Sequence, residues 1–451
     1  MGRLFGTDGI RGVAGHDLTA ELAISVGRAA VAALGVGERP AFVVGRDTRA
    51  SGEWLERALA GGIGAGGGEV LSVGVMPTPG VAFLTIDLGA DAGIVISASH
   101  NPPGDNGLKF FSAEGRKLPD ETEAEIERLV GRWKPGAGSA GAPSGAGSAA
   151  SAIRAVEDAE ERYLKHLGSA ALVPLDGLRV VVDAANGAAH RLAPEAIRRA
   201  GAVVTAINTE SDGANINVGC GATNPEILAE AVRRAGADAG VAHDGDADRA
   251  ILTDAEGGVI DGDHILAACA LAMKEEGALP GDRVVATVMA NLGFRRAMAE
   301  AGIEVVETPV GDRFVADELR RTGAALGGEQ SGHVIFADLA TTGDGILTAI
   351  RFLSLARKKG ISVGELASSM RKYPQVLENV PVAATDGIQS EPSVLEAVEK
   401  AEAALGERGR ILVRASGTEP LIRVMVEAET EDEARSHASE IAAAVRAITP
   451  R

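Results

Sequence analysis

The sequence predicts an α/β protein: three similar α/β domains with mainly parallel sheets, followed by a smaller C-terminal α+β domain. Three observations carry that prediction. At 451 residues the chain is long enough for two to four compact units of roughly 100 to 200 residues each. Its 45% hydrophobic and 24% charged residues are near the averages of globular proteins, so the apolar side chains for several cores are present. Short apolar runs alternate with longer amphipathic ones, the pattern of parallel strands covered by helices.

From residue 41 the alternation runs through 41–44, 53–60, 70–75, 81–88 and 92–97. It recurs at 179–182, 194–200, 203–207, 226–234 and 240–243, and opens a third time at 283–288, 292–301 and 304–308. Between 134 and 151 the chain is almost entirely Gly, Ala, Ser and Pro, the composition of a flexible linker or exposed loop. The first boundary is placed there. After residue 372 the order changes to a helix around 393–404, strands at 410–414 and 422–427, and a closing helix over 431–448. The domains expected are therefore 1–150, 151–256, 257–371 and 372–451.

Charge narrows the partners. With 44 Lys and Arg against 63 Asp and Glu, the net charge is −19, which argues against a nucleic-acid backbone or an anionic membrane. An anionic small molecule remains compatible if basic residues gather in one place, so clustered arginines are informative. The two cysteines, Cys220 and Cys269, have no Cys-x-x-Cys partner and indicate neither a disulfide framework nor a thiolate zinc site. No signal-peptide-like run opens the chain, and no stretch approaches the ~18 apolar residues of a membrane span. A cytoplasmic, unprocessed protein is expected.

Four polar loops carry chemistry. Ser97-Ala98-Ser99-His100-Asn101-Pro102-Pro103 follows an apolar strand, the end of an open α/β sheet where ligands bind, with Lys109 supplying a cation near the same bend. An ordinary Ser/Asn turn is the plainer alternative. Asp244-Gly245-Asp246-Ala247-Asp248-Arg249 sets three carboxylates at alternate positions, the hard oxygen ligands Mg²⁺ prefers. It is no EF-hand, because Arg249 and Ala255 stand where that loop needs Gly and Glu. A solvated acidic turn would suffer like-charge repulsion without a cation.

Gly327-Gly328-Glu329-Gln330-Ser331-Gly332-His333 offers bidentate polar groups suited to sugar hydroxyls, although by itself it reads as readily as a glycine-rich turn. Arg414-Ala415-Ser416-Gly417-Thr418-Glu419-Pro420, with Arg423 beyond it, joins two guanidinium forks and two hydroxyls on a loop freed by Gly417, a set suited to a dianionic phosphate. Two further segments, 5–12 and 45–51, place Arg11, Arg46 and Arg49 on turn-rich backbone. Arg11 is expected to face the Ser99 loop. Arg46 and Arg49 read equally as site cations or as structural residues paired to Asp47 or to a helix end.

With these four loops in this order, the sequence resembles the α-D-phosphohexomutase family from end to end. The resemblance implies four domains that each lend a loop to a central cleft: a phosphoserine loop, a metal loop, a sugar loop and a phosphate loop. The opening Phe-Gly-Thr-Asp-Gly-Ile-Arg-Gly, the Asn215-Ile216-Asn217 and Cys220-Gly221-Ala222-Thr223 stretches, and Gln330 are most similar to the bacterial branch acting on glucosamine phosphate. The insert at 136–148 departs from the family pattern and affects only the first boundary.

The activity so implied is an isomerase. Phosphorylated Ser99 would pass its phosphoryl group to glucosamine 6-phosphate, the 1,6-bisphosphate would turn around, and glucosamine 1-phosphate would leave, feeding amino-sugar nucleotide and cell-wall synthesis. One Mg²⁺ would be held by Ser99, Asp244, Asp246 and Asp248. Arg11, His100, Lys109 and His333 would serve catalysis, with the last three as candidates for proton transfer. Arg249, Glu329, Ser331, Arg414, Ser416, Gly417, Thr418 and Arg423 would bind substrate. A mutase of glucose or mannose phosphates, a phosphosugar phosphatase and a non-catalytic sensor are the alternatives. The expected partner is a small phosphosugar, without nucleic acid or membrane, and a homodimer is compatible with the reading.

Overall fold

The computed structural model describes residues 4–6, 8–132, 153–385, 387–416 and 420–448, so the expected linker at 134–151 lies outside the described residues. The chain forms two compact units: one of residues 1–288 and 304–368, the other of 289–303 and 369–451.

In the first unit, strands β1 (Ile10–Val13), β2 (Ala41–Arg46), β3 (Glu69–Val75), β4 (Ala92–Ile96), β5 (Asp105–Ser112) and β6 (Ile153–Ala155) form a sheet in the order β1-β5-β4-β2-β3-β6. A second sheet, β11-β10-β9-β7-β8, is built from β7 (Arg179–Asp183), β8 (Val203–Ile207), β9 (Ala239–His243), β10 (Ala250–Asp254) and β11 (Val259–Ile260). A third, β13-β12-β14-β15, uses β12 (Arg283–Thr287), β13 (Glu304–Thr308), β14 (Leu326–Gly328) and β15 (Val334–Phe336). The three share one topology: the second, first and third strands of each run lie side by side and parallel, and a return strand pairs antiparallel to the third.

The mainly parallel sheets expected are present, each with one antiparallel return strand, β5, β10 or β15, beside its third parallel strand. This moves the chemistry from strand-to-helix turns onto hairpins. The Ser99 loop joins β4 to β5, the Asp244 loop joins β9 to β10, and the Glu329 loop joins β14 to β15. Lys109, expected at the bend, instead sits on β5 opposite Val95. Strands β4 and β9 are buried at every residue, as strands covered on both faces should be, so the loops leave from rigid positions.

Helices are stopped and started by local chemistry. Helix Ala20–Leu34 is capped by Thr19, whose hydroxyl accepts from Leu22 N. Helix Gly345–Lys359 is capped by Asp344, which accepts from Leu347 N and from the buried Tyr163 hydroxyl at 2.7 Å. That contact points the helix N-terminus at the second sheet's hairpin loop, where Gly345 N donates to Ala247 O.

In the second unit, β16 (Gln375–Pro381), β17 (Arg410–Ala415) and β18 (Leu421–Glu427) form an antiparallel sheet in the order β16-β18-β17. Helices Pro392–Leu405 and Glu431–Ile448 cover it around a core that includes Val380, Val394, Ile422, Val424 and Ile441. Strand β16 escaped the sequence reading because its alternation is half exposed and broken by Glu378 and Asn379. Among the described residues no helix is long and apolar enough to cross a membrane.

Candidate active site

Ser99 is 1% exposed and its backbone is left-handed, with φ of 52°. For a non-glycine residue that conformation costs about 1 to 2 kcal/mol, so the surroundings must hold it. Its N–H donates to Ser97 Oγ at 2.9 Å, and Ser97 Oγ in turn donates to Asp47 Oδ2 at 2.6 Å. Ser97 is therefore structural. The Ser99 hydroxyl points out of the loop: Oγ donates to Asp244 Oδ2 at 2.6 Å and lies 3.2 Å from His100 Nδ1.

Asp244, Asp246 and Asp248 are buried, and one ligand oxygen from each lies within 4.8 Å of the others. Each leaves its Oδ1 buried without a hydrogen-bond partner among the described residues. Three clustered carboxylates, each with a buried oxygen lacking a donor among the described residues, fit a hard divalent cation such as Mg²⁺. Ala247 turns the loop through a left-handed φ of 57°. Gly245 is required for contact between the two loops, because a Cβ there would lie 2.5 Å from Ser99 O.

Asp244 and Asp246 are unequal. Burial, with Asp248 and Asp246 adjacent, pushes the Asp244 carboxyl well above the usual range. Burial acts the same way on Asp246, but the Lys109 ammonium and hydrogen bonds from Lys109 and Thr78 outweigh it and hold that carboxyl low. Lys109 is 2% exposed, with Nζ 2.8 Å from Asp246, 3.0 Å from Asp8 and 3.6 Å from Asp248. Burial opposes its charge, yet these carboxylates raise its pKa well above 10.5. In this arrangement Lys109 is a fixed cation, able to donate a proton but not to accept one.

The structure brings the other expected cations to the same place. Arg11, on β1, donates to Asp8 Oδ2 at 2.6 Å and to Asn101 Oδ1 at 3.4 Å. Arg249 is raised above its ordinary value because the carboxylates of Asp244, Asp248 and Glu329 outweigh its burial. His100 is lowered to about 4 by burial and by the charges of Arg249 and Arg11, so its imidazole is neutral beside the serine.

In the third sheet's hairpin, Glu329 Oε1 accepts from Gly311 N at 3.1 Å and Ser331 Oγ is buried without a hydrogen-bond partner among the described residues. His333 is buried, with Nε2 accepting from Gly343 N at 3.2 Å. In the second unit, Arg414 and Arg423 face each other directly across β17 and β18. Burial and the Arg423 charge lower the Arg414 pKa. Like charges directly opposed on a sheet are unfavourable, and an anion at that position would relieve them. Gly417 and Thr418 lie outside the described residues.

All four parts of one domain family match the chain in order. Phosphoglucomutase/phosphomannomutase alpha/beta/alpha domain I matches residues 2–136, domain II 161–257, domain III 261–373, and the C-terminal domain 377–444. The chain belongs to the phosphoglucomutase/phosphomannomutase family. Relatives within and around this family agree over the whole length. A phosphoglucosamine mutase of Rhodococcus opacus is 53% identical, covering 99% of this chain and 100% of its own. One of Symbiobacterium thermophilum is 52% identical, covering 99% of each. The crystal structure of a phosphoglucomutase/phosphomannomutase family protein from Burkholderia thailandensis superposes with a TM-score of 0.79 at 27% identity, covering 99% of this chain and 97% of that one. The chain is thus a phosphohexomutase, an isomerase.

Membership in the family does not by itself explain two residues that the sequence reading passed over. Asp8 gathers Arg11, Lys109 and Lys117 around one carboxylate, and Lys117 also bonds Asp312 beside the third hairpin. Nothing local marks Lys117 as a hub, because its partners Asp8 and Asp312 lie 109 and 195 positions away, and for Asp8 only the Arg11 contact is local.

Proposed function

We propose that this chain interconverts glucosamine 6-phosphate and glucosamine 1-phosphate through phosphorylated Ser99 and a 1,6-bisphosphate. The observation that carries the reading is the Ser99 hydroxyl at 2.6 Å from Asp244, within a triad of buried carboxylates that bring one oxygen each within 4.8 Å of the others. Full-length relatives named phosphoglucosamine mutase, at 52 to 53% identity, support the choice of sugar.

The phosphoryl group on Ser99 Oγ moves to the 1-hydroxyl of glucosamine 6-phosphate: the new O1–P bond forms as the Oγ–P bond breaks. The 1-hydroxyl proton passes, by way of a neutral base for which His100 is the neighbour of Ser99, to the released Ser99 Oγ, and returns by the same route to the 6-oxygen in the second transfer, while the Lys109 and Arg11 cations balance charge spreading over the phosphoryl oxygens. The bisphosphate then presents its 6-phosphate, Ser99 Oγ takes that group, and glucosamine 1-phosphate leaves. Mg²⁺, held by Asp244, Asp246, Asp248 and an oxygen on Ser99, would supply charge neutralisation to the transferring group. Arg249, Glu329 and Ser331 orient the sugar, and Arg414, Ser416, Gly417, Thr418 and Arg423 take the phosphate that is not reacting. Both described cysteines are buried and unpaired, in keeping with the cytoplasm as the site of action.

The test is ³¹P NMR of the protein with glucosamine 6-phosphate, Mg²⁺ and a trace of the 1,6-bisphosphate. A growing 1-phosphate signal, absent with Ser99→Ala, is expected. Inorganic phosphate in its place would indicate a phosphatase, and a higher kcat/KM with glucose or mannose 6-phosphate would make those sugars the substrates.

A further inference from the structure

We infer that Arg49 is a positioning residue for the phosphoryl-transfer step, holding Ser99 in the conformation that aims its hydroxyl at the carboxylate triad; this rests on reading Ser99 as the phosphoryl carrier. Arg49 follows β2 on the neighbouring strand-end loop, and its side chain is fully enclosed. A guanidinium has five N–H donors, and all five are used here. Nε donates to Asp47 Oδ2 at 2.9 Å, and the other four reach carbonyls of the serine loop: Ser99 O at 3.0 Å, Asn101 O at 2.8 Å, Asp105 O at 2.9 Å, and Pro102 O.

The same arc closes on Ser99 from its N–H side. Asp47 Oδ1 accepts from Arg49 N at 3.0 Å, and Asp47 Oδ2 accepts from Ser97 Oγ, which accepts from Ser99 N. Asn217 adds a second donor to Ser99 O at 2.9 Å. The peptide groups on both sides of Ser99 are therefore pinned by a buried charge-assisted network, and that network offsets the left-handed φ of 52°. A loop released from it would relax toward an ordinary φ and swing Oγ away from Asp244. Arg49 makes no hydrogen bond or ion pair to Asp244, Asp246 or Asp248 among the described contacts, so its effect passes through Ser99. Lysine cannot replace it, because one ammonium with three donors cannot span four carbonyls and a carboxylate.

The experiment pairs steady-state kinetics of Arg49→Lys and Arg49→Met on glucosamine 6-phosphate with mass-spectrometric timing of phosphate arrival on Ser99 after addition of the 1,6-bisphosphate. Displacing a reacting group by about 1 Å costs on the order of 100-fold, so kcat should fall by about that factor, with KM within about threefold and Lys no better than Met. Phosphate arrival on Ser99 should slow in parallel. A folded Arg49→Lys protein that keeps kcat within about threefold of the native value overturns the inference. If the Arg49 variants do not fold, Ser97→Ala reads the same network: loss of its bridge should lower kcat about tenfold at constant KM, and an unchanged kcat overturns the inference. Native protein that never takes phosphate on Ser99 would sink the reading of Ser99 itself. Native and Arg49 variants labelled equally fast would sink only the role of Arg49.

Discussion

At the scale of single residues, the site is a contest between burial and charge, and Asp244 and Asp246 come out of it differently. Asp244 is pushed up by burial and by its acidic neighbours, so Asp244→Asn should relieve repulsion in the metal-free protein while abolishing turnover. Asp246 is the first partner of the buried Lys109. Asp246→Asn should therefore abolish turnover and also destabilise the fold by about 1.5 to 3 kcal/mol, the order of a lost hydrogen bond to a charged group, with Asp8 and Asp248 remaining as partners of Lys109. Urea unfolding of both variants in chelator, with activity in Mg²⁺, checks this. Equal stability loss in the two would show that Lys109 does not depend on Asp246. The acidic triplet was legible in the sequence because its spacing is local. Its asymmetry was not, because Lys109 is 137 positions away.

At the scale of elements, the recurring unit is a hairpin rather than a strand end. Three times a parallel strand is followed by a loop and an antiparallel return strand, and each loop carries polar side chains. The returns went unread because β5 is apolar only over part of its length and β15 has three residues, too short for periodicity to register. A second element-level feature is Glu427 on β18, fully buried and accepting from Asn291 Nδ2 at 2.9 Å and from Leu292 N at 3.1 Å, at the start of helix Leu292–Glu300. Burial raises its pKa to about 7, against the pull of Arg410 and of the Leu292 N–H. A carboxyl raised in the folded state binds its proton more tightly there than when unfolded. Its contribution is full below the unfolded value of 4.5 and lost as pH rises through about 7. Between pH 4.5 and 7 the native protein should lose about 3 kcal/mol relative to Glu427→Gln. Thermal unfolding of both across that range is the measurement, and parallel profiles would refute it.

At the scale of the whole molecule, the chain passes between its two units at residues 288/289, 303/304 and 368/369, so the segment carrying helix Leu292–Glu300 folds with the C-terminal sheet although it lies between β12 and β13 in sequence. The loop after β17, proposed to take the phosphate that is not reacting, belongs to that second unit. One clamp serving both ends of a bisphosphate must ignore which end it holds, so Arg423→Ala should raise KM for glucosamine 6-phosphate and glucosamine 1-phosphate alike. Losing a charge-assisted bond of about 1.5 to 3 kcal/mol predicts a rise on the order of tenfold to a hundredfold, and Lys should restore only part because it lacks the bidentate fork. Kinetics in both directions decide it, and an effect on one substrate alone would separate the two orientations. By itself the sequence determined the fold class, the order of the four loops and the chemical type of each, since strand and helix periodicity and the identity of neighbouring residues are local properties. Tertiary structure alone decided which oxygen faces Ser99, why Lys109 stays charged, and that Arg49 holds the serine loop. Those outcomes depend on burial and on pairings across fifty to two hundred positions, where desolvation makes each charge depend on partners that no local pattern announces.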